Sequence, residues 1–334
     1  MKITKITFGI LNLLLLLVFG CTTNQNKKEM NEEKISVIFD TDANNELDDQ
    51  HALAYLLFSG DKFSVKGVTV NTTFSGGNID EQYKEAERVV RLCDAWNKIP
   101  LVKGADGNFE MIKNNTDSST FDGSEAVNLI IDQANLHKNG KLVVIAVGKL
   151  TNIALAVKKD PSLTQKIHLV WLGSNYPEPG EYNLENDIPA MNYLLNTDIP
   201  FEMVTVRYGI GGGTDEVRVT KDEAFANMPG LGPQIADSVI GRHGGAFTNF
   251  GDYSVNLFEH IDYYGEPPSR ALFDMAAVAI VKDSSWAESR IIPAPIMQDG
   301  KWIERPQNKR VIAVWENFDK EKILTDFLPY TQTI

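Results

Sequence analysis

The sequence has little positive charge. Its 334 residues include 32 Lys and Arg against 45 Asp and Glu, which gives a formal net charge of −13 at pH 7. No cluster of basic residues offsets this excess. Because nucleic-acid binding depends on neutralising phosphates, the composition argues against a nucleic-acid partner. The sequence also lacks internal repeats and low-complexity linkers, so we expect one large domain over residues 35–334.

Long apolar runs are also missing, apart from the one at residues 8–19, which is too short to favour a membrane span. Two lysines precede this run and Gly20 follows it, a pattern typical of a secretory signal. A cysteine directly after the glycine makes the segment resemble a bacterial lipoprotein signal. We therefore predict a signal peptide over 1–20, a lipid on Cys21 and a polar tether over 21–34. The protein would then be held to the bacterial cell envelope, periplasmic or cell-surface, through the lipid anchor alone. The alternative is an ordinary cleaved signal in which Cys21 has no role.

Cysteine is nearly absent, since Cys21 and Cys93 are the two in the chain. With Cys21 lipidated, Cys93 has no partner, so an intrachain disulfide is excluded despite the oxidising compartment. Cys93 lies on an apolar helical stripe and is predicted to be a small core residue.

Short β-branched or apolar runs alternate with helical patterns through the first two thirds of the chain. The predicted strands are 35–40, 65–70, 100–103, 141–147, 167–172 and 201–206. The predicted helices between them are 47–59, 80–95, 124–138, 151–158 and 187–195. This alternation predicts an α/β fold with an open, mainly parallel sheet flanked by helices.

The later part of the chain is expected to be more helical. The helical patterns there are 219–228, 233–242, 270–282 and 319–327. Two further strands, near 288–297 and 310–315, are expected to pair as an antiparallel hairpin around Asp299-Gly300, because Asp-Gly is a hairpin-turn signal.

Five acidic side chains crowd the turn after the first predicted strand: Asp40, Asp42, Glu46, Asp48 and Asp49. A buried strand before them and an apolar helix after them place these groups where open α/β sheets bind ligands. Carboxylates this close repel each other unless a positive charge neutralises them. A hard divalent cation such as Ca²⁺, which takes six to eight oxygen ligands, fits the composition. The alternative is a solvated acidic helix N-terminus that favours the helix dipole.

Three later segments carry further polar groups. A strand ends at Val147, and Gly148 allows a sharp turn that leaves the last carbonyl of the strand open to a cation. The second segment, after another strand, contains Asn175, Glu181, Asn183 and Asp187, which together can bind vicinal sugar hydroxyls. The third is Asp274, which opens an apolar helix. Taken singly, the first segment also fits a strand–turn–helix joint, the second a polar surface loop and the third a helix cap.

Together and in this order, the four segments resemble the inosine–uridine-preferring nucleoside hydrolase family. Asp42 and the Asp48-Asp49 pair match the N-terminal signature of that family. Residues 148–154 match its Gly-Leu-Thr-Asn-Ile-Ala turn, with Lys149 inserted. The Glu-aromatic-Asn motif and the late Asp are matched by Glu181-Tyr182-Asn183 and Asp274. The motifs extend over nearly the whole chain after residue 34.

The resemblance implies a role for each of these residues. Ca²⁺ would be held by Asp42, Asp49, Asp274 and the carbonyl of Val147, and Asp42 would be the general base. Substrate would be bound by Asp48, Asn175, Glu181 and Asn183, with Asn71 as a further polar wall residue. Asn183 would also stabilise the developing charge on the sugar. The family is often dimeric or tetrameric, so a homo-oligomer is possible.

Two features depart from the family pattern. Five residues separate Asp42 from Asp48 where the family usually has three. Phe273 stands before the late Asp, where a His often serves as the leaving-group acid. His243, in a glycine-rich segment, is a candidate replacement for that acid because an unperturbed imidazole titrates near neutral pH. An exposed loop His is the alternative.

The sequence therefore favours calcium-dependent hydrolysis of the N-glycosidic bond of a ribonucleoside or related N-ribosyl compound. A second hypothesis is a non-catalytic lipoprotein that binds ribose or nucleosides in a calcium-dependent way. A third is a phosphatase of the haloacid dehalogenase type, based on Asp40-Thr41-Asp42, but the downstream acidic motif for Mg²⁺ is missing.

Overall fold

An eight-stranded sheet forms the centre of the computed structural model, which describes residues 33–328. In chain order the strands are β1 (Ile35–Thr41), β2 (Phe63–Val70), β3 (Leu101–Lys103), β4 (Leu142–Ala146), β5 (Ile167–Leu172), β6 (Phe201–Val204), β7 (Arg218–Thr220), β8 (Val239–Ile240), β9 (Ala246–Phe247), β10 (Ser269–Ala271), β11 (Glu288–Pro293), β12 (Ile296–Gln298), β13 (Lys301–Ile303) and β14 (Val311–Glu316).

The helices are α1 (Asp48–Phe58), α2 (Ile79–Leu92), α3 (Phe109–Ile112), α4 (Ser124–Leu136), α5 (Thr151–Lys159), α6 (Tyr182–Asn186), α7 (Ile188–Leu195), α8 (Lys221–Asn227), α9 (Phe250–Glu259), α10 (Met275–Lys282) and α11 (Lys320–Phe327). Among residues 33–328, no helix is both long and apolar enough to cross a membrane.

The sheet order is β11-β14-β6-β5-β4-β1-β2-β3, and every neighbouring pair is parallel except β11 with β14. The predicted α/β fold with a mainly parallel sheet is therefore confirmed. The chain runs outward from β1 to β3 on one side and from β4 to β6 on the other. Because the strand order reverses between β1 and β4, a crevice opens there at the carboxyl ends of the strands, where such sheets bind ligands.

The central strands are apolar on both faces because helices cover both. Val37 and Phe39 of β1 pack into one core cluster, and Ile38 between them packs into the cluster on the opposite face. This alternation is the two-residue period of a strand buried on both sides. Residues Asp48 to Leu56 of α1 are all buried as well, so α1 holds its first-turn acids in the protein interior.

The structure corrects two predictions about the later part of the chain. No helix spans 233–242, where β8 instead pairs with β9 around a turn containing Gly244 and Gly245, both with positive φ. Asp299-Gly300 closes a small inner hairpin of β12 and β13, since Pro293 and Pro295 interrupt the longer predicted strand. The predicted antiparallel pairing itself is present, between β11 and β14.

Helix α9 was missing from the sequence prediction. It begins after Asn249, whose side chain accepts a hydrogen bond from the backbone N–H of Asp252 as an N-cap.

Cys93 is buried, as predicted, and burial raises the pKa of its thiol above the ordinary value. Cys21, the predicted signal peptide and nearly all of the predicted tether lie outside the described residues.

Candidate active site

The predicted site residues from four segments meet at one cavity of about 440 Å³ at the carboxyl end of the sheet. Its floor is formed by groups that follow the central strands or begin the helices packed on them: Asp42 after β1, Asp48 and Asp49 in the first turn of α1, Val147 after β4, Glu181 and Asn183 at the start of α6, and Asp274 before α10. We call these seven residues the floor.

The floor carboxylates are buried and close together. Oxygens of Asp48, Asp49 and Asp274 lie within 4.8 Å of one another. Burial raises the pKa of Asp42 to about 6, that of Asp48 to about 7 and that of Glu181 to about 7. Burial, followed by repulsion from neighbouring acids, raises the pKa of Asp49 and Asp274 well above the ordinary value. The site therefore concentrates negative charge that water does not stabilise.

No ion pair between described residues neutralises these five carboxylates. The nearby Lys149 points its Nζ away, donating to the backbone carbonyls of Gly107 at 2.8 Å and Asp106 at 3.2 Å. Oδ1 of Asp42 is buried and has no hydrogen-bond partner. Buried charges are normally paired or bound to a metal, so an orphaned carboxylate oxygen among four further acids fits a hard divalent cation.

The Val147 carbonyl is held in place by Asn183, whose Nδ2 donates to it at 2.7 Å. A carbonyl oxygen has a second lone pair, so it can also face a cation. Asp42 is oriented by Thr73, whose Oγ1 donates to Oδ2 at 2.5 Å, and by its own N–H, which donates to Asp49 at 3.2 Å. These hydrogen bonds hold Asp42 in place and leave its Oδ1 without a partner.

Glu181 also organises the local backbone. Its carboxylate accepts hydrogen bonds from the N–H groups of Asn183 at 3.0 Å, Leu184 at 2.9 Å and Ser174 at 2.8 Å. It thus caps α6 and positions Asn183, while still lining the cavity.

Asp40 has a structural role that the sequence did not indicate. Its buried carboxylate accepts from Thr69 at 2.5 Å and from the amides of Asn71 and Asn152 at 2.7 Å each. Burial raises its pKa to about 7. These bonds draw Asn71 behind the cavity, so Asn71 supports the floor instead of lining the wall.

The other predicted site residues lie farther from the floor. Asn175 is half-buried outside the cavity lining, and its Oδ1 accepts from the N–H of Tyr208 at 3.3 Å. His243 is exposed beside the β8–β9 turn, where its ring stacks on His260 at 4.4 Å between centroids. It is not a cavity-lining residue, so the structure does not bring it together with the floor.

A second group of residues, which we call the wall, closes the cavity beside the floor. It comprises Tyr208, Asp215, Arg218, Tyr264, Arg270 and Phe273. Phe273 packs edge-on against Tyr208, with 5.5 Å between ring centroids. Arg218 and Arg270 come from β7 and β10, which pair as an antiparallel two-stranded sheet. Arg218 binds Asp215 at 2.7 Å, and Arg270 contacts Glu46.

The longer loop between Asp42 and Asp48 forms part of the rim. Glu46 reaches from it to Arg270 on the wall, and Asn45 accepts a hydrogen bond from Ser75. Ser75 in turn lies 2.7 Å from the hydroxyl of Tyr182. The extra loop residues therefore join the floor segment to the wall.

Gly148 leaves room for the side chain of Asp42 in the floor. A Cβ placed there would lie 2.8 Å from Oδ1 of Asp42 and 2.9 Å from the Asn71 amide, closer than real Cβ contacts. We expect Gly148→Ala to displace Asp42 and to lower metal affinity and activity by at least about 10-fold, the lower end for groups that support a metal site. Calorimetric titration with Ca²⁺ and rate assays measure both effects.

Gly60→Ala is the matched control, because a Cβ at Gly60 meets a single atom at 3.8 Å. Equal behaviour of the two variants would contradict the close packing around Asp42.

Comparisons with known proteins agree with this geometry. Residues 37–325 match the family model described as inosine-uridine preferring nucleoside hydrolase. The chain is 27% identical over 186 residues to the inosine-uridine preferring nucleoside hydrolase of Crithidia fasciculata, covering 54% of each protein. It is 27% identical over 219 residues to that of Leishmania major, covering 60% of this chain and 63% of the relative. These alignments span between about half and two thirds of the relatives.

Solved structures share the fold. A plant nucleoside hydrolase aligns with a TM-score of 0.68 at 18% identity, covering 89% of this chain and 98% of that one. A purine-preferring ribonucleoside hydrolase from Gardnerella vaginalis aligns with a TM-score of 0.64 at 18% identity, covering 87% and 96%. At these identities the likeness establishes the fold.

Proposed function

Because the chain belongs to the inosine-uridine preferring nucleoside hydrolase family, we propose that it hydrolyses the N-glycosidic bond of ribonucleosides or related N-ribosyl compounds. The products would be ribose and the free base. One observation carries the proposal: five buried carboxylates converge on one cavity, and none of them forms an ion pair within the described residues. Among the positions that match the family motifs, Asp42, Asp48, Asp49, Glu181, Asn183 and Asp274 lie in this floor.

We propose Ca²⁺ as the cofactor. Asp42, Asp49, Asp274 and the carbonyl of Val147 would hold it, and the oxygen-only donor set suits a hard cation. Asp48 also lies within the 4.8 Å acidic cluster, so it stands next to the ion. When bound, the ion would supply a Lewis acid that makes a bound water acidic enough to ionise near neutral pH.

The floor residues can also supply the general base and the groups that bind the sugar. Asp42, as a ligand of the cation, would be kept in its ionised form and could take a proton from the attacking water. Asp48, Glu181 and Asn183 line the same cavity and can hold ribose hydroxyls, since carboxylate oxygens and the amide oxygen accept hydrogen bonds. Asn183 is anchored at both the Val147 and Leu172 carbonyls, which fixes the sugar position.

The test of this function is ribose release by the purified protein from a panel of purine and pyrimidine nucleosides. The assay is run with Ca²⁺, after chelation and with Asp42→Ala. Release that depends on Ca²⁺ and on Asp42 supports the proposal. No release from any nucleoside, together with calcium-dependent ribose binding, would instead support the non-catalytic binding protein.

We also propose that Cys21 carries a lipid that anchors the protein in a bacterial envelope. Cys21→Ser is expected to move the protein from the detergent phase to the aqueous phase in a phase-partition assay, because a single cysteine bears the acyl chains. Cys93→Ser is the matched control and is expected to partition like the wild type. Unchanged partition of the Cys21 variant would argue against the anchor. A homo-oligomer stays a prediction.

A further inference from the structure

The wall of the cavity lacks a proton donor that titrates near neutral pH. Among the described residues that line the cavity there is no His, Lys or Cys. Phenol hydroxyls, which the wall does offer, ordinarily titrate at about pH 10 and are weak acids at neutral pH. The floor carboxyl groups lie where the sugar would bind. A base that leaves along the wall therefore meets aromatic rings and guanidinium groups, not a general acid.

Arg270 is the wall arginine whose guanidinium group has N–H donors that no other protein group uses. Arg270 as a whole is 6% exposed, and its Nη2 contacts Glu46. No hydrogen bond within the described chain uses its Nε or Nη1, and neither belongs to the fully buried atoms that lack a partner. Both can therefore donate into the cavity that Arg270 lines.

Arg218 differs in this respect although it lines the same wall. Its Nε donates to Oγ of Ser269 at 3.0 Å, its Nη1 to Asp215 at 2.7 Å and its Nη2 to the Ser269 carbonyl at 3.4 Å. Each of its nitrogens is engaged by protein, so Arg218 acts as a brace between β7 and β10.

The position of Arg270 relative to the floor is fixed by the chain. It lies four residues before the floor residue Asp274, and Phe273 of the wall directly precedes Asp274. The ring of Tyr264 lies 5.6 Å from its guanidinium carbon. A flat base above the floor would thus lie against aromatic rings, with Arg270 at its edge.

We propose, resting on the proposed hydrolysis, that Arg270 is a catalytic residue that hydrogen-bonds the departing base and stabilises the negative charge it gains. The bond between C1′ and the base nitrogen breaks, and the electron pair stays on that nitrogen. The water oxygen bonds to C1′ and its proton passes to Asp42. The base anion takes a proton from bulk water on release, and Asp42 returns its own proton to water. A guanidinium stays charged throughout, so it acts as a donor and not as an acid.

This assignment also explains Phe273. A wall that stabilises an anion needs no imidazole at that position, and the ring instead packs on Tyr208. Substrates with acidic bases, which leave readily as anions, form the favoured class.

The test compares kcat/KM on ribosides whose leaving groups differ in acidity: 4-nitrophenyl riboside, uridine, inosine and adenosine. Arg270→Gln is expected to lose about 10²–10³-fold on the nucleosides, as when one transition-state donor is removed. The loss should be smallest on 4-nitrophenyl riboside, whose leaving anion needs little help. Arg270→Lys keeps the positive charge, so its kcat/KM should lie between that of the wild type and that of Arg270→Gln.

The matched control is Arg290→Gln, because Arg290 also has an acidic partner, Glu316 at 3.4 Å, and a tyrosine 5.4 Å away, but lies outside the cavity. Thermal unfolding verifies that each variant is folded. Equal losses of folded Arg270→Gln on all four substrates, or no loss on any, would overturn the role of Arg270. If the wild type releases ribose from none of them, both the hydrolysis and the role of Arg270 are overturned.

Discussion

Replacing Asp274 by Asn is expected to lower Ca²⁺ affinity by more than about 100-fold, because even losses behind a metal site cost 10–100-fold. Ribose release should fall with it. The same variant should melt at a higher temperature than the wild type when metal is absent. Asp274 is buried beside Asp48 and Asp49, and an amide of the same shape removes one charge from this repelling group.

Asp274→Asn should lower Ca²⁺ affinity but raise the melting temperature of the metal-free protein, and this combination makes the prediction specific. At about 2.1 cal/mol/K per residue, a gain of 1 kcal/mol would raise the melting temperature by about 1.5 °C in a domain of about 300 residues. Thermal unfolding with chelator and calorimetric Ca²⁺ titration measure the two quantities. Asp222→Asn, at an exposed position in α8, is the control and should change neither. If Asp274→Asn destabilised the metal-free protein, the repulsion among the floor carboxylates would be refuted.

Removing Ca²⁺ is expected to reverse the pH dependence of stability. Burial raises the pKa of Asp42 to about 6 and that of Asp48 and Glu181 to about 7, all above their ordinary values. The metal-free folded state therefore binds more protons than the unfolded state, and it loses stability as pH rises from about 4, near the unfolded pKa values, to about 7, near the folded values. The metal-free protein should melt higher at pH 5 than at pH 8.

With Ca²⁺ present the trend should change direction, because the ion binds the deprotonated carboxylates and protons compete with it. Calcium at 100 times its dissociation constant adds about 2.7 kcal/mol. Melting temperatures at pH 5, 6, 7 and 8, each with Ca²⁺ and with chelator, give two curves that should diverge toward high pH. The Asp274→Asn variant separates this effect from the general acidity of the chain, since its metal-free curve should be flatter. Parallel curves for the wild type would rule out a calcium site built from these groups.

The sequence predicted the central sheet well because its strands are buried on both faces. Runs such as Val143 to Ala146 are continuously apolar, and helical patterns separate them. The floor could also be predicted, because its acids cluster within single turns of the chain. Asp42, Asp48 and Asp49 lie within eight residues, so their spacing alone indicated a shared site.

The two arginines of the wall could not be predicted for the opposite reason. Arg218 and Arg270 are isolated residues in three-residue strands, and only the pairing of β7 with β10 brings them together. The role of Asp40 was also hidden, since it depends on partners from two other segments, Thr69 and Asn71 at the end of β2 and Asn152 in α5. The false helix at 233–242 arose because local apolar spacing does not report the glycine-rich turn that folds β8 onto β9.

The unequal exposure of floor and wall has a consequence for the order of events in turnover. Asp42, Asp49 and Asp274 are at most 3% exposed, whereas Tyr208 and Tyr264 on the wall are 45% and 55% exposed. A base bound along the wall would therefore have a direct path to solvent, whereas a sugar bound at the floor would lie deeper, behind the loop that Glu46 joins to Arg270. The base would depart first and the sugar last. Ribose should then inhibit competitively against the nucleoside and the base noncompetitively, and opening of that loop would limit the turnover rate.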